Sequence, residues 1–296
     1  MPDEARRQGA ERTLAASVII PVFRDTERLR KCLRCLEQQT LPADRFEIIV
    51  VNNDPEEQLR LASATHRLVL LDEPTPGSYA ARNRGLREAR GEVLAFTDSD
   101  CLPEPDWLEQ GLGALDAQGV DRVAGRVCVF ALSDPPNAVE CYETFFAFDQ
   151  RSNVASGVAI TANLLARASL FDKLGAFDDA LLSGGDIEWN RRATEAGASL
   201  VFSDACRVLH PARSNWAEIS KKVRRVVGGK VAIEPGYSIS LIRSLLPPVE
   251  AGQRIFGTPG RPIRDKMLAL AIAYRLKLYR YLIQRRVRSR SVCAER

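Results

Sequence analysis

The sequence predicts an α/β fold in which a mainly parallel central sheet is flanked by helices. Short apolar runs alternate with helical patterns through residues 16–98, which is typical of βαβ units. The runs are apolar at consecutive positions, and this favours strands that helices cover on both faces. Each run ends in polar residues, so the carboxyl edge of the sheet, where such folds bind ligands, is expected to be polar.

The first half of the chain divides into regular elements. Leu29, Cys32, Leu33 and Leu36 recur at helical spacing and predict an amphipathic helix after the first strand. Short β-branched runs bounded by turn residues predict the strands. The predicted order is strand 16–23, helix 25–40, strand 46–52, a short helix, strand 67–71, helix 77–90 and strand 91–98.

The second half is less regular. The predicted elements are a strand over 120–130, a strand and then a helix ending at Gly175 within 156–179, a helix over 184–197, and an extended segment over 198–210. From Pro262 onward the pattern predicts a long amphipathic helix. Its predicted apolar stripe consists of Met267, Ala271, Tyr274, Leu278 and Leu282.

The composition is that of a globular protein, with 45% hydrophobic and 27% charged residues. No apolar run approaches the ~20 residues needed to cross a bilayer. The N-terminal residues mix charges and predict no secretory signal. Seven cysteines, an odd number in a long chain, argue against a disulfide framework, and we interpret Cys32 and Cys35 as structural residues of a helix. A reducing cytoplasm fits this composition best.

The C-terminal segment is strongly basic. Residues 261–296 hold eleven Lys or Arg and two acidic residues, a net charge of +9. This segment could pack on the rest of the protein, lie on an anionic membrane surface, or bind nucleic acid. We do not expect nucleic-acid binding, because no recognition motif accompanies the charge.

Two carboxylates follow the fourth predicted strand, in the stretch "VLAFTDSDC". Asp98 and Asp100 flank Ser99, and at this spacing in a turn both side chains can face one cation. Carboxylate oxygens are the ligands that Mg²⁺ and Mn²⁺ prefer. The alternative is a solvated loop in which Asp98 and Ser99 act as turn formers and caps.

Four stretches resemble family 2 glycosyltransferases in order and spacing, over about residues 16–212. They are "SVIIPVFRDTERLRKCLRCLEQQ", "FEIIVVNND", "PGSYAARNRGLREARGEVLAFTDSD" and "LGAFDDALLSGGDIEWNRRATEAG". The resemblance implies a GT-A fold, a nucleotide-sugar donor (UDP-, GDP- or dTDP-sugar), Mn²⁺ or Mg²⁺, and inverting transfer to a hydroxyl acceptor. The acceptor class stays open between a glycan, a lipid-linked sugar and a small molecule.

The resemblance also implies a domain organisation. Residues 1–14 are expected to be a flexible tail and 15–215 the GT-A domain, with a nucleotide-binding half at 15–100 and an acceptor half at 101–215. Residues 216–296 are expected to form a helical, basic extension with possible peripheral contact to the inner face of a membrane.

By position in these motifs, a set of residues is expected to bind the donor: Pro21, Val22, Phe23, Asn53, Arg82, Asp98 and Ser99. Asp98 corresponds to the residue that faces the ribose and metal, and Asp100 to the main metal ligand. Asn53 stands where the family usually has an aspartate that reads the base. Two assignments have structural alternatives, since Arg82 could be a solvated helix arginine and His210, a third metal ligand by resemblance, could be structural.

The catalytic base is assigned by the same resemblance. An inverting transfer needs a base for the acceptor hydroxyl, and Asp186 aligns with the catalytic carboxylate of the family. Glu188 is the alternative base, and Asp186 could instead cap a helix. The family more often has an acid at the position of Gly185. We expect Trp189 to be a core residue.

Two other functions stay open at this point. A sugar nucleotidyltransferase would also need carboxylates at a nucleotide-facing sheet edge, but "PVFRDTERLRK" lacks the glycines of its first loop. A catalytically weakened nucleotide-sugar-binding protein is the non-enzymatic alternative, because the acids expected at "NND" and "GGD" are partly replaced.

Overall fold

In a computed structural model of the chain, the structure describes residues 14–54, 56, 58–61, 66–234 and 236–294. The expected N-terminal tail, 1–14, lies outside these residues except for Leu14, which begins the first strand. The strands are β1 Leu14–Val22, β2 Phe46–Asn52, β3 Arg67–Asp72, β4 Gly91–Thr97, β5 Leu102–Pro103, β6 Arg122–Phe130, β7 Asn163–Arg167 and β8 Leu200–Pro211.

The helices of the described residues surround this sheet or follow it in the chain. They are α1 Thr26–Leu36, α2 Ser78–Glu88, α3 Trp107–Gln118, α4 Ala138–Phe146, α5 Gln150–Ala155, α6 Ala168–Leu174, α7 Gly185–Glu195, α8 Trp216–Ile233, α9 Leu241–Leu245, α10 Val249–Gly257 and α11 Ile263–Ala294. The short helix expected between the second and third strands is absent from the described residues of 53–66.

The strands form one mixed sheet in the order β3-β2-β1-β4-β7-β6-β8-β5. The pairs β2–β3, β1–β2 and β1–β4 are parallel, and this confirms the parallel strands predicted in the first half. β7 then runs antiparallel to β4, with Thr97 opposite Asn163. The α/β fold class is therefore confirmed, with an antiparallel second half.

The parallel half brings its polar strand ends to one edge. Val22 of β1 is in register with Asn52 of β2, and Asn52 is in register with Asp72 of β3. β4 starts at Gly91, where a Cβ atom would lie 2.3 Å from the backbone nitrogen of Ser17, so only glycine fits there. The close approach of β4 to β1 puts the residues after β4 beside the exit of β1.

The core under this edge is aromatic. Trp189 of α7 is fully buried, and its ring stacks on Phe171 with centroids 4.1 Å apart, which confirms that Trp189 is a core residue. Its Nε1–H donates to the carbonyl of Gly175 at 3.0 Å. Gly175 ends α6 with a φ of 81°, as the sequence predicts. These contacts hold the start of α7 against the sheet.

The chain divides into two compact units. The first unit comprises residues up to Cys128 together with Asp149–His210. The second comprises Val129–Phe148 and the residues from Pro211 onward. Within the second unit, α4, α8 and α11 share a core that includes Val139, Ile219, Val223, Leu276 and Ile283.

The long helix α11 buries a different face from the one predicted. The buried residues are Ala269, Ile272, Ala273, Leu276 and Ile283. The predicted stripe of Met267, Ala271, Tyr274, Leu278 and Leu282 lies on the opposite side of the helix, exposed or half-buried. Among the described residues, none of the helices combines the length and the apolarity that crossing a bilayer would require.

Candidate active site

Four potential metal ligands meet where β4 ends. The ligand atoms of Asp98, Asp100, Cys101 and His210 all lie within 4.8 Å of one another. The three residues after β4 come from the turn, and His210 comes from the end of β8. His210 is buried, and its Nε2 lies 3.3 Å from Oδ1 of Asp100. The fold thus brings together the three metal ligands that the sequence predicted from distant positions.

Arginine side chains neutralise Asp98 and Asp100. These are the two carboxylates of the cluster at the end of β4, which we call the carboxylate corner. Nη2 of Arg82 lies 2.5 Å from Oδ1 of Asp98, and Nη1 of Arg28 lies 3.7 Å from Oδ2 of Asp100. Arg82 is only 3% exposed, so the alternative of a solvated helix arginine is wrong. Its Nε–H is buried without a hydrogen-bond partner among the described residues.

The donor set of the corner fits Mn²⁺ or Mg²⁺. The side chains of Asp98 and Asp100 are half-buried, so their oxygens remain reachable, and an imidazole nitrogen is a tolerable third ligand for Mn²⁺. Cys101 is an unsuitable ligand, since burial, with the charges of Asp98 and Asp100, raises the pKa of its thiol well above the ordinary value. Its Sγ instead faces the carbonyl of Ala162 at 3.8 Å.

Asn53 fastens the end of β2 to the start of α2. Its Nδ2 donates to the carbonyls of Glu73 at 2.7 Å and Thr75 at 2.8 Å, and its Oδ1 accepts from the backbone N–H of Gly77 at 2.9 Å. Both amide hydrogens are therefore used inside the protein, and one lone pair of Oδ1 remains for a ligand. Beside this loop, a cavity of about 610 Å³ opens between residues that include Asn52 and Asp72.

The exit of β1 presents an aromatic ring. Val22 is buried, Pro21 is half-buried and Phe23 is exposed. Arg24 follows with a φ of 52°, and its guanidinium bonds Asp54 at 2.5 Å and lies 5.2 Å above the ring of Phe23. The strand exit is thereby held in a defined turn with an open ring face. Ser99 lies half-buried in the turn after β4.

Asp186 is buried in the first turn of α7 and accepts three hydrogen bonds. The Tyr79 hydroxyl donates to Oδ1 at 2.8 Å, as does the backbone N–H of Ile187 at 3.0 Å, and the N–H of Thr161 donates to Oδ2 at 3.3 Å. Asp186 is not the N-cap of α7, a position that Gly184 occupies. Burial raises the pKa of the Tyr79 phenol, which therefore stays protonated and donates.

The ring of Tyr79 also explains the glycine at position 185. A Cβ atom there would lie 2.9 Å from two carbons of that ring, closer than carbon atoms approach. The space that a side chain of residue 185 would need is thus filled by Tyr79. The missing acid is a consequence of this packing.

Glu188 points away from Asp186 and binds Arg192. Its two oxygens lie 2.6 Å from Nε and 3.1 Å from Nη2 of that arginine. Arg192 also donates to the carbonyls of Leu174 and Ala176. Through Arg192, this ion pair connects α7 to the end of α6 and the loop after it, so Glu188 has a structural role.

Sequence reasoning missed Tyr79. It lies on α2 one turn before Arg82, so one helix face contacts both Asp186 and Asp98. In the sequence, Tyr79 and Arg82 are three residues apart on a helix that begins at the polar edge of the sheet. This spacing could have indicated that both side chains face the site. Gly77, two residues before Tyr79, has a φ of 128° and forms the turn into α2.

Known proteins resemble this chain in sequence. Residues 17–175 match the model of the family described as Glycosyl transferase family 2. Glycosyltransferase AglE of Haloferax volcanii is 37% identical over 234 residues, which cover 77% of this chain and 76% of that protein.

Two solved structures share the fold at low sequence identity. The mannosyltransferase PcManGT of Pyrobaculum calidifontis, in complex with GDP-Man and Mn²⁺, has a TM-score of 0.57 and 17% identity and covers 97% of this chain and 90% of its own. TarS residues 1–349 of S. aureus, in complex with UDP, has a TM-score of 0.54 and 17% identity and covers 93% and 92%.

The mixed sheet with flanking helices, shared with these structures, is the GT-A fold of glycosyltransferases. The chain belongs to glycosyl transferase family 2.

Proposed function

We propose that this glycosyltransferase is inverting and metal-dependent, and that it moves one sugar from a nucleotide-sugar donor to a hydroxyl acceptor. The observation that carries the proposal is the cluster of Asp98, Asp100 and His210, whose ligand atoms lie within 4.8 Å at the end of β4. Asp186, held in place by three donors on the same unit, supplies the base.

The donor nucleoside is proposed to bind at the exits of β1 and β2. Phe23 offers an open ring face, Pro21 and Val22 shape the wall, and Asn53 offers its remaining Oδ1 lone pair. Arg82, which pairs with Asp98, and Ser99 of the adjoining turn are proposed to face the donor as well. Structures of the same fold bind GDP-Man and UDP, which supports a UDP-, GDP- or dTDP-sugar as the donor.

Asp98, Asp100 and His210 would hold Mn²⁺ or Mg²⁺. Such an ion, when bound, would offset the negative charge of the departing nucleoside diphosphate. Arg82 and Arg28 pair with the two carboxylates and would hold them in position for the ion.

Asp186 is proposed to take the proton of the acceptor hydroxyl. The acceptor oxygen forms a bond to the anomeric carbon from the face opposite the diphosphate, and the bond to the diphosphate oxygen breaks, so the configuration inverts. The bidentate pair with Arg192 leaves Glu188 less suited to this task, because both its oxygens are engaged. The acceptor class stays open between a glycan, a lipid-linked sugar and a small molecule, and peripheral membrane contact through the basic C-terminal helix belongs to this proposal as well.

The proposal is tested by thermal unfolding with UDP, GDP and dTDP, each with and without Mn²⁺. One nucleotide at about 100 times its Kd should stabilise the native protein by ~2.7 kcal/mol, roughly 5 °C in Tm, and only with Mn²⁺. Asp100→Asn should lose the Mn²⁺-dependent part of the shift, while Asp106→Asn, outside the corner, should keep it. A shift that is equal without metal, or unchanged in Asp100→Asn, would contradict the proposed metal site.

A further inference from the structure

The helix α11 has two apolar faces, and the second unit buries only one of them. Leu276 and Ile283 lie in the core with α4 and α8. Met267 and Leu282 lie on the opposite side, each more than half exposed. An ordinary surface helix would carry polar residues on that side. The outward apolar face therefore needs an explanation beyond folding.

The two preceding short helices extend this face. The Tyr274 hydroxyl donates to the carbonyl of Leu245 at 2.9 Å, so the end of α9 lies beside the outer side of α11. A Cβ atom added to Gly252 of α10 would lie 4.0 Å from the side chain of Leu270 of α11, so α10 also lies beside α11. The outer apolar surface consists of exposed side chains from all three helices: Ile242, Leu246, Val249, Phe256, Ile263 and Met267.

Lysine side chains border this surface where the helices meet. Nζ of Lys277 donates to the carbonyl of Leu246 at 2.9 Å, and Nζ of Lys266 donates to that of Phe256 at 3.3 Å. The aliphatic stems of such lysines cover apolar surface while their charged ends remain in water. One acidic residue, Glu250 in the first turn of α10, follows Val249 of this surface in the sequence.

The unit that carries the surface is strongly cationic. Residues 129–148 and 211–296 together contain 19 Lys or Arg and 8 Asp or Glu, a net charge of +11. A second copy of this chain would meet the surface with the same positive charge. An anionic surface complements it instead, at about 1 kcal/mol for each basic side chain near the headgroups.

We propose that the outer apolar surface docks on an anionic lipid bilayer, with the side chains of α9, α10 and α11 inserted at the level of the headgroups. Exposed apolar groups rimmed by lysine and arginine are the pattern of helices that lie in the interface of a membrane. The contact differs from the one expected from the sequence, in which the basic charge of the C-terminal segment was the reason for membrane contact. It does not depend on the proposed donor, metal or base.

The test is flotation of the full chain with vesicles of phosphatidylcholine alone or with a quarter phosphatidylglycerol. The chain should float with the anionic vesicles, and the double variant Ile242→Gln, Val249→Gln should partition at least tenfold less, given the apolar burial lost at two side chains. Leu182→Gln of the first unit is the matched control, because Leu182 and Val249 are each 63% exposed. Met267→Gln provides an independent variant on α11.

The double variant Lys266→Gln, Lys277→Gln should bind the anionic vesicles roughly fivefold more weakly for each charge removed. Its binding should also depend less on the salt concentration. Flotation of the Ile242, Val249 double variant at the level of the unsubstituted chain would overturn the proposal. A concentration-dependent dimer in sedimentation velocity that the same double variant dissociates would also overturn it, because a second copy would then cover the surface.

Discussion

The hydroxyl of Tyr79 donates a hydrogen bond to Oδ1 of Asp186 at 2.8 Å and thereby joins α2 to the start of α7. One turn further along α2, Arg82 pairs with Asp98 at 2.5 Å. A single helix thus positions both the proposed base and one of the proposed metal ligands. Variants of these residues and of their partners test this arrangement.

Tyr79→Phe should lower kcat by about tenfold or more, since a hydrogen bond to a charged group contributes roughly 1.5–3 kcal/mol. The KM for the donor should hardly change, because the lost contact is to Asp186. Tyr142→Phe, which removes another buried hydroxyl, is the control and should leave kcat unaltered. In a double-mutant cycle with Asp186→Asn, Tyr79→Phe should cause no further loss, and additive losses would show that Tyr79 acts elsewhere.

Gly185→Ala should reduce both turnover and Tm, because the added methyl group would meet the Tyr79 ring at 2.9 Å. Gly113→Ala is the matched control in α3, where a Cβ atom meets nothing within 4 Å, and it should be neutral or stabilising by up to about 1 kcal/mol. In a Tyr79→Ala background the clash is gone, so Gly185→Ala should cost nothing more. A persistent cost in that background would mean that the helix start itself requires glycine.

Asp186→Asn and Glu188→Gln should separate the two candidate bases. Asp186→Asn should lower kcat about 10²–10⁴-fold with donor affinity intact, the range for general-base catalysis. Glu188→Gln should change kcat by only a few-fold but lower the free energy of unfolding by about 0.5–1 kcal/mol, because a partly exposed pair with Arg192 is lost. The reverse pattern of kcat losses would assign the base to Glu188.

Asn53→Asp should destabilise the protein by about 2 kcal/mol, because a carboxylate would face the carbonyls of Glu73 and Thr75 in place of two donors. Donor binding should weaken together with stability as the start of α2 loosens. The control is Asn215→Asp, at the N-cap of α8, where aspartate serves equally well. Urea unfolding measures the difference in the free energy of unfolding. Equal stability of the two variants would contradict the role of Asn53 in joining the end of β2 to the start of α2.

Glu143 should govern part of the acid stability of the second unit. Burial alone would raise the pKa of Glu143, but the charges of Lys222 and Arg213, at 3.0 and 2.7 Å, hold it below the ordinary value of 4.5. A carboxyl with a lowered pKa stabilises the folded state above its unfolded pKa, and this contribution is lost as the pH falls below about 4.5.

Glu143→Gln should therefore be less stable at pH 7 and should depend less on pH between 3 and 5. The expected cost is about 2 kcal/mol, below the ~3–5 kcal/mol of a fully buried pair because both cations reach solvent. Glu218→Gln, an exposed acid on α8, is the control. An unchanged acid transition in Glu143→Gln would show that other carboxyls dominate it.

The local sequence pattern was sufficient to predict much of the architecture and the residue types of the candidate site. The apolar runs at β1, β2, β3 and β4 predicted parallel strands, which the structure confirms. Burial on both faces is wrong for β3, which lies at the edge of the sheet and is half-buried or exposed along its length. The two carboxylates Asp98 and Asp100, close in sequence, were also recognisable. A strand in the region of β7 was predicted, but its antiparallel direction was not, because pairing direction depends on contacts far apart in sequence. The helices α3, α4, α8 and α10 were not predicted individually.

The sequence by itself determined the α/β framework, the polar sheet edge and the pairing of carboxylates after β4, because these follow from periodicity and from neighbours along the chain. Only the tertiary structure decided that His210 lies beside Asp98 and Asp100, that Tyr79 fills the space of residue 185, and which face of α11 is buried. Those outcomes depend on contacts between residues far apart in sequence. α11 is apolar on both sides, so its periodicity alone does not say which side the core takes.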